Sequence, residues 1–283
     1  YTYYHTSNIG VIDICSMPTE KSEFVLVQRK RPRRKKQQQN SDTNSEQIES
    51  ISAVTIIKKI LSTKDDIINS TYYLNLLKDL QKLLDLLGYN KIQKILCYGL
   101  GKFSDCVIAR YQFGLLLTLK DYLDADVFIH DPVFGKNEIT IIKDLKCKFI
   151  ETNEEGKHQV NIPTLVYLPH CPKQLTNNFL WSNWNVGLSN CILICNSFNN
   201  IIESHSNHYL EKTLKFIFNI YPLTHEVNIE NIFKFNDIFN DLSFHIFPQE
   251  NLKNHFWNSY PEPVYGEDDL EFVVDKFRIS TLK

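Results

Sequence analysis

Two glycines, Gly99 and Gly101, an aspartate, Asp131, and a histidine–cysteine pair, His170 and Cys171, stand where short apolar runs of this chain come to an end. Those residue types at those places suit the holding of a small ligand. Glycines after a strand permit a tight turn and close backbone approach, and a helix starting just beyond them offers unpaired N–H groups to an anion. The stretch Tyr98-Gly-Leu-Gly-Lys-Phe-Ser104 keeps the first two glycines of a dinucleotide fingerprint and carries Ser104 in place of the third. A plain strand-to-helix turn is its alternative reading. Asp131, in His130-Asp-Pro132, is placed either to accept hydrogen bonds from ribose hydroxyls or to open an Asp-Pro turn. In Leu168-Pro-His-Cys-Pro172 two prolines stiffen the loop that presents both side chains. His170 is suited to the work of an acid, base or ligand, and Cys171 to that of a nucleophile or a thiolate on haem iron.

Further candidates are more easily explained by packing or solvation. Glu154 and Glu155 lie in a charged loop and either face a crevice or are simply solvated. Asn177, Trp181 and Trp184 are four and three apart and share a helix face, with core packing the expected task of both tryptophans. Cys191 and Cys195 point the same way along a strand but ~13 Å apart, too far to share a metal, so they are expected in the core. Asn196 and Ser197, which follow them, reach toward the crevice. No metal site is expected, and the lack of a Gly-Lys-Ser/Thr phosphate loop, His-Glu-x-x-His, Cys-x-x-Cys or Gly-x-Ser-x-Gly argues against an NTPase, zinc protease, zinc finger or α/β-hydrolase.

The elements that must position these residues follow from periodicity. Apolar residues at spacings of three and four between 51 and 87 predict two amphipathic helices, with Ser62-Thr-Lys-Asp65 opening the second and Gly88 ending it. Thereafter strands at 94–100, 126–131, 148–151, 164–168 and 191–196 alternate with helices at 104–123, 134–145, 174–184 and 201–207. Residues 216–220 and 242–247 are read as a final antiparallel pair. Such alternation predicts an α/β fold, a Rossmann-like doubly wound and mostly parallel sheet with flanking helices, preceded by two N-terminal helices. In that fold ligands bind beyond the carboxyl ends of the strands, where the residues named first are found.

The chain has 283 residues, 43% of them hydrophobic and 23% charged, with 31 basic against 33 acidic residues and a net charge of -2. No global field draws it to nucleic acid or an anionic membrane. Its apolar runs fall short of the ~20 residues that span a bilayer, so no membrane role is expected. Residues 29–36, from Arg29 to Lys36, hold seven basic residues in eight positions. They read as a nuclear-import signal, a nucleic-acid arm or a solvated tail. The expected division is a disordered basic tail, 1–48, and one domain, 49–283, with helices 51–88 packed on a core of 91–250 and a tail from 261. Seven cysteines and no amino-terminal secretory pattern point to a reducing compartment. Met17 is the sole methionine and the expected native start.

The stretches 97–105 running into Ala109-Arg-Tyr-Gln112, His130-Asp-Pro-Val-Phe134, Asn153-Glu-Glu-Gly-Lys157, Leu168-Pro-His-Cys-Pro172, Asn177-Asn-Phe-Leu-Trp-Ser-Asn-Trp184 and Leu193-Ile-Cys-Asn-Ser-Phe198 resemble, in order, the SRR family. The family is named for a plant phenotype, sensitivity to red light reduced. The resemblance implies a regulatory role in circadian clock gene expression and in haem biosynthesis, in cytoplasm and nucleus, through a regulatory protein partner or small metabolite. It supplies no catalytic residues. The rival expectation is a methyltransferase using S-adenosylmethionine, with Gly99, Gly101, Asp131 and His170-Cys171-Pro172 filling its loops. Haem at Cys171 and a nucleotide at the glycine turn are the remaining cofactor expectations.

Overall fold

A computed structural model describes residues 42–253 and 257–266. The basic run, Met17 and residues 267–283 of the expected carboxyl-terminal tail lie outside them. Helix α1 (Asp42–Ile68) begins earlier and ends later than periodicity indicated. The Thr63 hydroxyl donates to Ile60 O at 2.7 Å and to Arg110 O at 3.0 Å, so the Ser62–Asp65 stretch stays inside α1 and ties it to the next layer. It opens no helix, and that expectation is corrected. Ser70 opens α2 (Thr71–Leu87) by accepting the Tyr73 N–H at 3.2 Å, and Gly88 closes it as expected.

Strands β1 (Lys94–Tyr98), β2 (Asp126–His130), β3 (Lys148–Phe149), β4 (Thr164–Tyr167) and β5 (Cys191–Asn196) fall on the expected runs. Between them come α3 (Val107–Leu123), α4 (Lys136–Asp144) and α5 (Lys173–Ser182). After β5 the chain forms α6 (Phe198–Ser204), α7 (Asn207–Thr213), α8 (Lys215–Ile220), β6 (His225–Asn228), β7 (Leu242–Ile246) and α9 (Gln249–Leu252). The strands make one sheet in the order β3-β2-β1-β4-β5-β7-β6, with β1 to β5 parallel and β7 antiparallel to both neighbours.

The reading of 216–220 as a strand is wrong. Leu210, Leu214, Ile217 and Ile220 are all fully buried at helical spacing, and Asn177 Oδ1 accepts the N–H groups of Phe216 and Ile217 at the start of α8. The partner of β7 is instead β6, whose residues are exposed or half-buried and carry no apolar alternation.

Alternation along the inner strands divides the core in two. Ile95, Cys97, Ile129, Leu165, Tyr167 and Ile194 pack with α1 to α4, while Leu96, Tyr98, Val166, Leu193 and Cys195 pack with α5 to α8. Both faces of an α/β sheet are thereby covered, as inner strands apolar on both sides require. Each fully buried aliphatic side chain contributes about 1.5–3 kcal/mol.

Candidate functional site at the strand ends

Three strand ends meet at one junction. β1 stops at Tyr98 and turns through Gly99 and Gly101, at φ of 67° and 79°. A Cβ at residue 99 would stand 2.4 Å from Cys171 Sγ, so glycine is required both by the left-handed backbone and by the lack of room. Cys171 lies just past β4 and is 4% exposed, its S–H donating to Tyr98 O at 3.1 Å. Asp131, just past β2, closes the junction. Its Oδ2 accepts the Gly101 N–H at 2.8 Å and its Oδ1 the Val133 N–H at 2.9 Å. β1 has β2 on one side and β4 on the other, so strand order reverses here. Such a switch point is where open α/β sheets bind ligands.

The chemistry of the junction is that of neutral groups and committed hydrogen bonds. Burial pushes the Cys171 thiol well above its ordinary range, and the neighbouring Asp131 charge adds to the effect. In this arrangement it is a thiol rather than an activated nucleophile. His170 takes a left-handed φ of 52° and donates from Nε2 to Ile238 O at 3.1 Å. Gln112 of α3 donates to the same oxygen at 3.3 Å. Ile238 belongs to the 229–241 connection between β6 and β7, which buries Phe233, Ile238 and Phe239. Tyr72 of α2 stacks on Phe239, with ring centres 4.7 Å apart. The hydroxyls of Tyr72 and Tyr167 and Asn196 Oδ1 are buried without hydrogen-bond partners. Each such orphan costs about 1–3 kcal/mol in a protein that binds nothing there.

Of the expected residues, Gly99, Gly101, Asp131 and Cys171 come together, with His170 in the loop beside them. Ser104 does not serve a helix start, since α3 begins at Val107. Its hydroxyl is committed to Glu138, whose other oxygen accepts the Gly135 N–H at 3.1 Å at the head of α4. Ser197 caps α6 by accepting the Asn200 N–H at 3.1 Å. Glu155 pairs with Lys157, and Glu154 Oε2 accepts from Tyr98 Oη at 2.6 Å and from His158 Nδ1 at 2.7 Å. Burial works to raise the Glu154 carboxyl, but those hydrogen bonds hold it below its ordinary value. Cys191 and Cys195 are fully buried. Gln112, Ile238 and the two orphan phenols were missed. Tyr167 sits within an apolar run, and Ile238 lies 68 residues from His170 along the chain.

Among the described residues no group of three or more His, Cys, Asp or Glu is placed to hold a metal, and no helix is long and apolar enough to cross a membrane. A hollow of about 820 Å³ is open and lies at the opposite end of the sheet beside Lys91, Asp124 and Asp126.

This is an α/β protein whose glycine turn, acidic strand end and proline-bracketed His-Cys loop are joined at a strand-order reversal. Residues 59–246 match the SRR1 domain, and the chain belongs to that family. It is 34% identical over 208 residues to an SRR1-like protein of Drosophila melanogaster, covering 71% of this chain and 73% of that one. An SRR1-like protein of Mus musculus is 36% identical over 129 residues, 44% of this chain and 52% of that protein. The Arabidopsis thaliana protein SENSITIVITY TO RED LIGHT REDUCED 1 is 29% identical over 116 residues, 40% and 42% of the two chains.

Proposed function

We propose that the protein is a regulator acting in haem biosynthesis and in clock-linked gene expression, in cytoplasm and nucleus, through a small molecule held at the strand-end junction. Membership of the SRR1 domain family and the light-sensitivity name of the Arabidopsis relative support the regulatory class. One observation carries the crevice: His170 and Gln112, from separate elements, aim two N–H donors at a single oxygen, that of Ile238. A ligand carbonyl, carboxylate or phosphate oxygen meets the same two donors once the Ile238 carbonyl shifts aside. The inner order β3-β2-β1-β4-β5 matches the first five positions of the dinucleotide-binding fold's strand order, which supports a Rossmann-like winding.

The test is rescue. In cells lacking the endogenous protein, the wild-type chain is expected to restore haem content and rhythmic transcript levels, and the Gly101→Val variant to fail at comparable abundance. Equal rescue by Gly101→Val counts against the crevice.

The methyltransferase reading rests on the glycine turn after β1 with an acid after β2. Each oxygen of Asp131 accepts one backbone N–H, which orients the carboxylate and leaves a second lone pair on each oxygen for a ribose hydroxyl of S-adenosylmethionine. Normal S-adenosylmethionine binding by Gly101→Val would end that reading. For haem at Cys171, an unchanged ferric haem spectrum in Cys171→Ala would do the same.

A further inference from the structure

Beyond the matched domain, residues 257–266 run without regular structure along α5, and Pro261 and Pro263 fix their backbone in an extended form. The docking alternates side-chain and main-chain contacts. The Tyr260 ring lies edge-on to Phe216, with centres 5.9 Å apart, under the Lys215 ammonium at 3.8 Å. The Tyr260 carbonyl accepts the Trp181 Nε1–H at 3.2 Å, and Glu262 pairs with Lys157. The Tyr265 hydroxyl enters a polar notch. It accepts from Asn177 Nδ2 at 2.9 Å and faces Asn178 Oδ1 at 2.9 Å and Gln174 O at 3.2 Å.

The amides of the notch are held by the scaffold as well as by the tyrosine. Asn177 Oδ1 is fixed by the N–H groups of Phe216 and Ile217, and Asn178 Nδ2 by Glu155 O at 3.0 Å. Each amide therefore has one pole set by the scaffold, and the other poles meet the phenol. Both side chains are 1% exposed with the segment in place. An aromatic slot, an indole N–H on a backbone carbonyl and a basic residue on the peptide's acid are the parts by which proteins read extended proline-containing ligands.

From this geometry we infer that the α5 face is a recognition groove for an extended peptide of the pattern Tyr-Pro-acid-Pro-x-Tyr. Its last tyrosine is read as a neutral phenol, and the groove's resident occupant is the chain's own segment, 257–265. Three residues, 254–256, join that segment to Lys253, which places it at an effective concentration of about millimolar. A partner carrying the same pattern competes with it for the groove. The inference concerns the face opposite the 229–241 connection and does not depend on what the strand-end junction holds.

The three tryptophans of the chain, Trp181, Trp184 and Trp257, all sit at this interface, with Trp184 and Trp257 ring centres 5.3 Å apart. Near-ultraviolet circular dichroism of the full chain therefore reports docking directly. The experiment adds a fluorescein-labelled synthetic peptide of residues 257–266 to wild-type full chain and to the Tyr260→Ala/Tyr265→Ala variant, which empties the groove. Fluorescence polarisation is expected to show binding to the variant and about tenfold weaker binding to the wild type, whose own segment competes. The same peptide phosphorylated on tyrosine is expected not to bind, because its charge meets Asn178 Oδ1 and the Gln174 carbonyl. Failure of the peptide to bind a variant with native far-ultraviolet dichroism overturns the groove, and equal binding of the phosphopeptide overturns the phenol reading. If the double variant does not fold, Tyr265→Phe decides. Loss of part of the near-ultraviolet tryptophan signal sustains the inference, and an unchanged signal refutes it.

Discussion

The most constrained residue in the junction is Gly99, and its constraint comes from a side chain 72 positions away. Gly99→Ala places a Cβ against Cys171 Sγ at 2.4 Å on a backbone at positive φ. It is expected to destabilise by about 2–4 kcal/mol in urea titration, from left-handed strain and overpacking together. Adding Cys171→Ala should return part of that loss, and strict additivity of the two would contradict the contact. Glu226 supplies a pH signature. Burial works to raise its carboxyl, but His245, Ser197 and the Asn199 N–H hold it at about 2 against an ordinary 4.5. The folded value lies below the unfolded one, so this stabilisation is complete above pH 4.5 and is lost as pH falls toward 2. The urea midpoint is expected to drop across that window, and Glu226→Gln to flatten the drop. At this scale the glycines, Asp131 and the His170-Cys171 pair were legible because each ends an apolar run. Their partners were not: no spacing rule links Gln112 to Ile238, or sends Ser104 to Glu138.

Elements followed the sequence wherever burial was two-sided. β1, β2, β4 and β5 are continuous apolar runs because helices cover both faces, and such runs announce themselves. β6 is a half-exposed edge strand with no such signal, and α8 imitates a strand because Phe216, Ile217 and Phe218 are consecutive. What selects helix for α8 is Asn177, which supplies a cap from another element. Asn177→Ala leaves two buried N–H groups without an acceptor and is expected to cost about 1–3 kcal/mol, lowering the melting temperature by several degrees. Asn177→Asp keeps the acceptor and should lose less. Equal losses for the two would show that the cap contributes nothing.

For the whole molecule, the sheet sets its amino-terminal helices against one face and α5 to α8 against the other. The strand-order reversal then falls where the sequence placed its glycines, acid and His-Cys loop. The division into layers and the meeting of these strand ends were therefore readable from alternation alone. The seating of 229–241 against His170 and Gln112 was not, because a connection without periodicity gives no sign of where it folds back. The central claim, that this junction holds a small molecule, is tested most directly by a thermal melt of the full chain, alone and with saturating S-adenosylhomocysteine, NAD, ATP or hemin in turn. A ligand at ~100 times its dissociation constant adds ~2.7 kcal/mol to the folded state, a rise of a few degrees for a chain of this size. The account expects such a rise with one of the four, abolished by His170→Ala combined with Gln112→Leu. No rise with any of them, or a rise that the double substitution leaves intact, would contradict it.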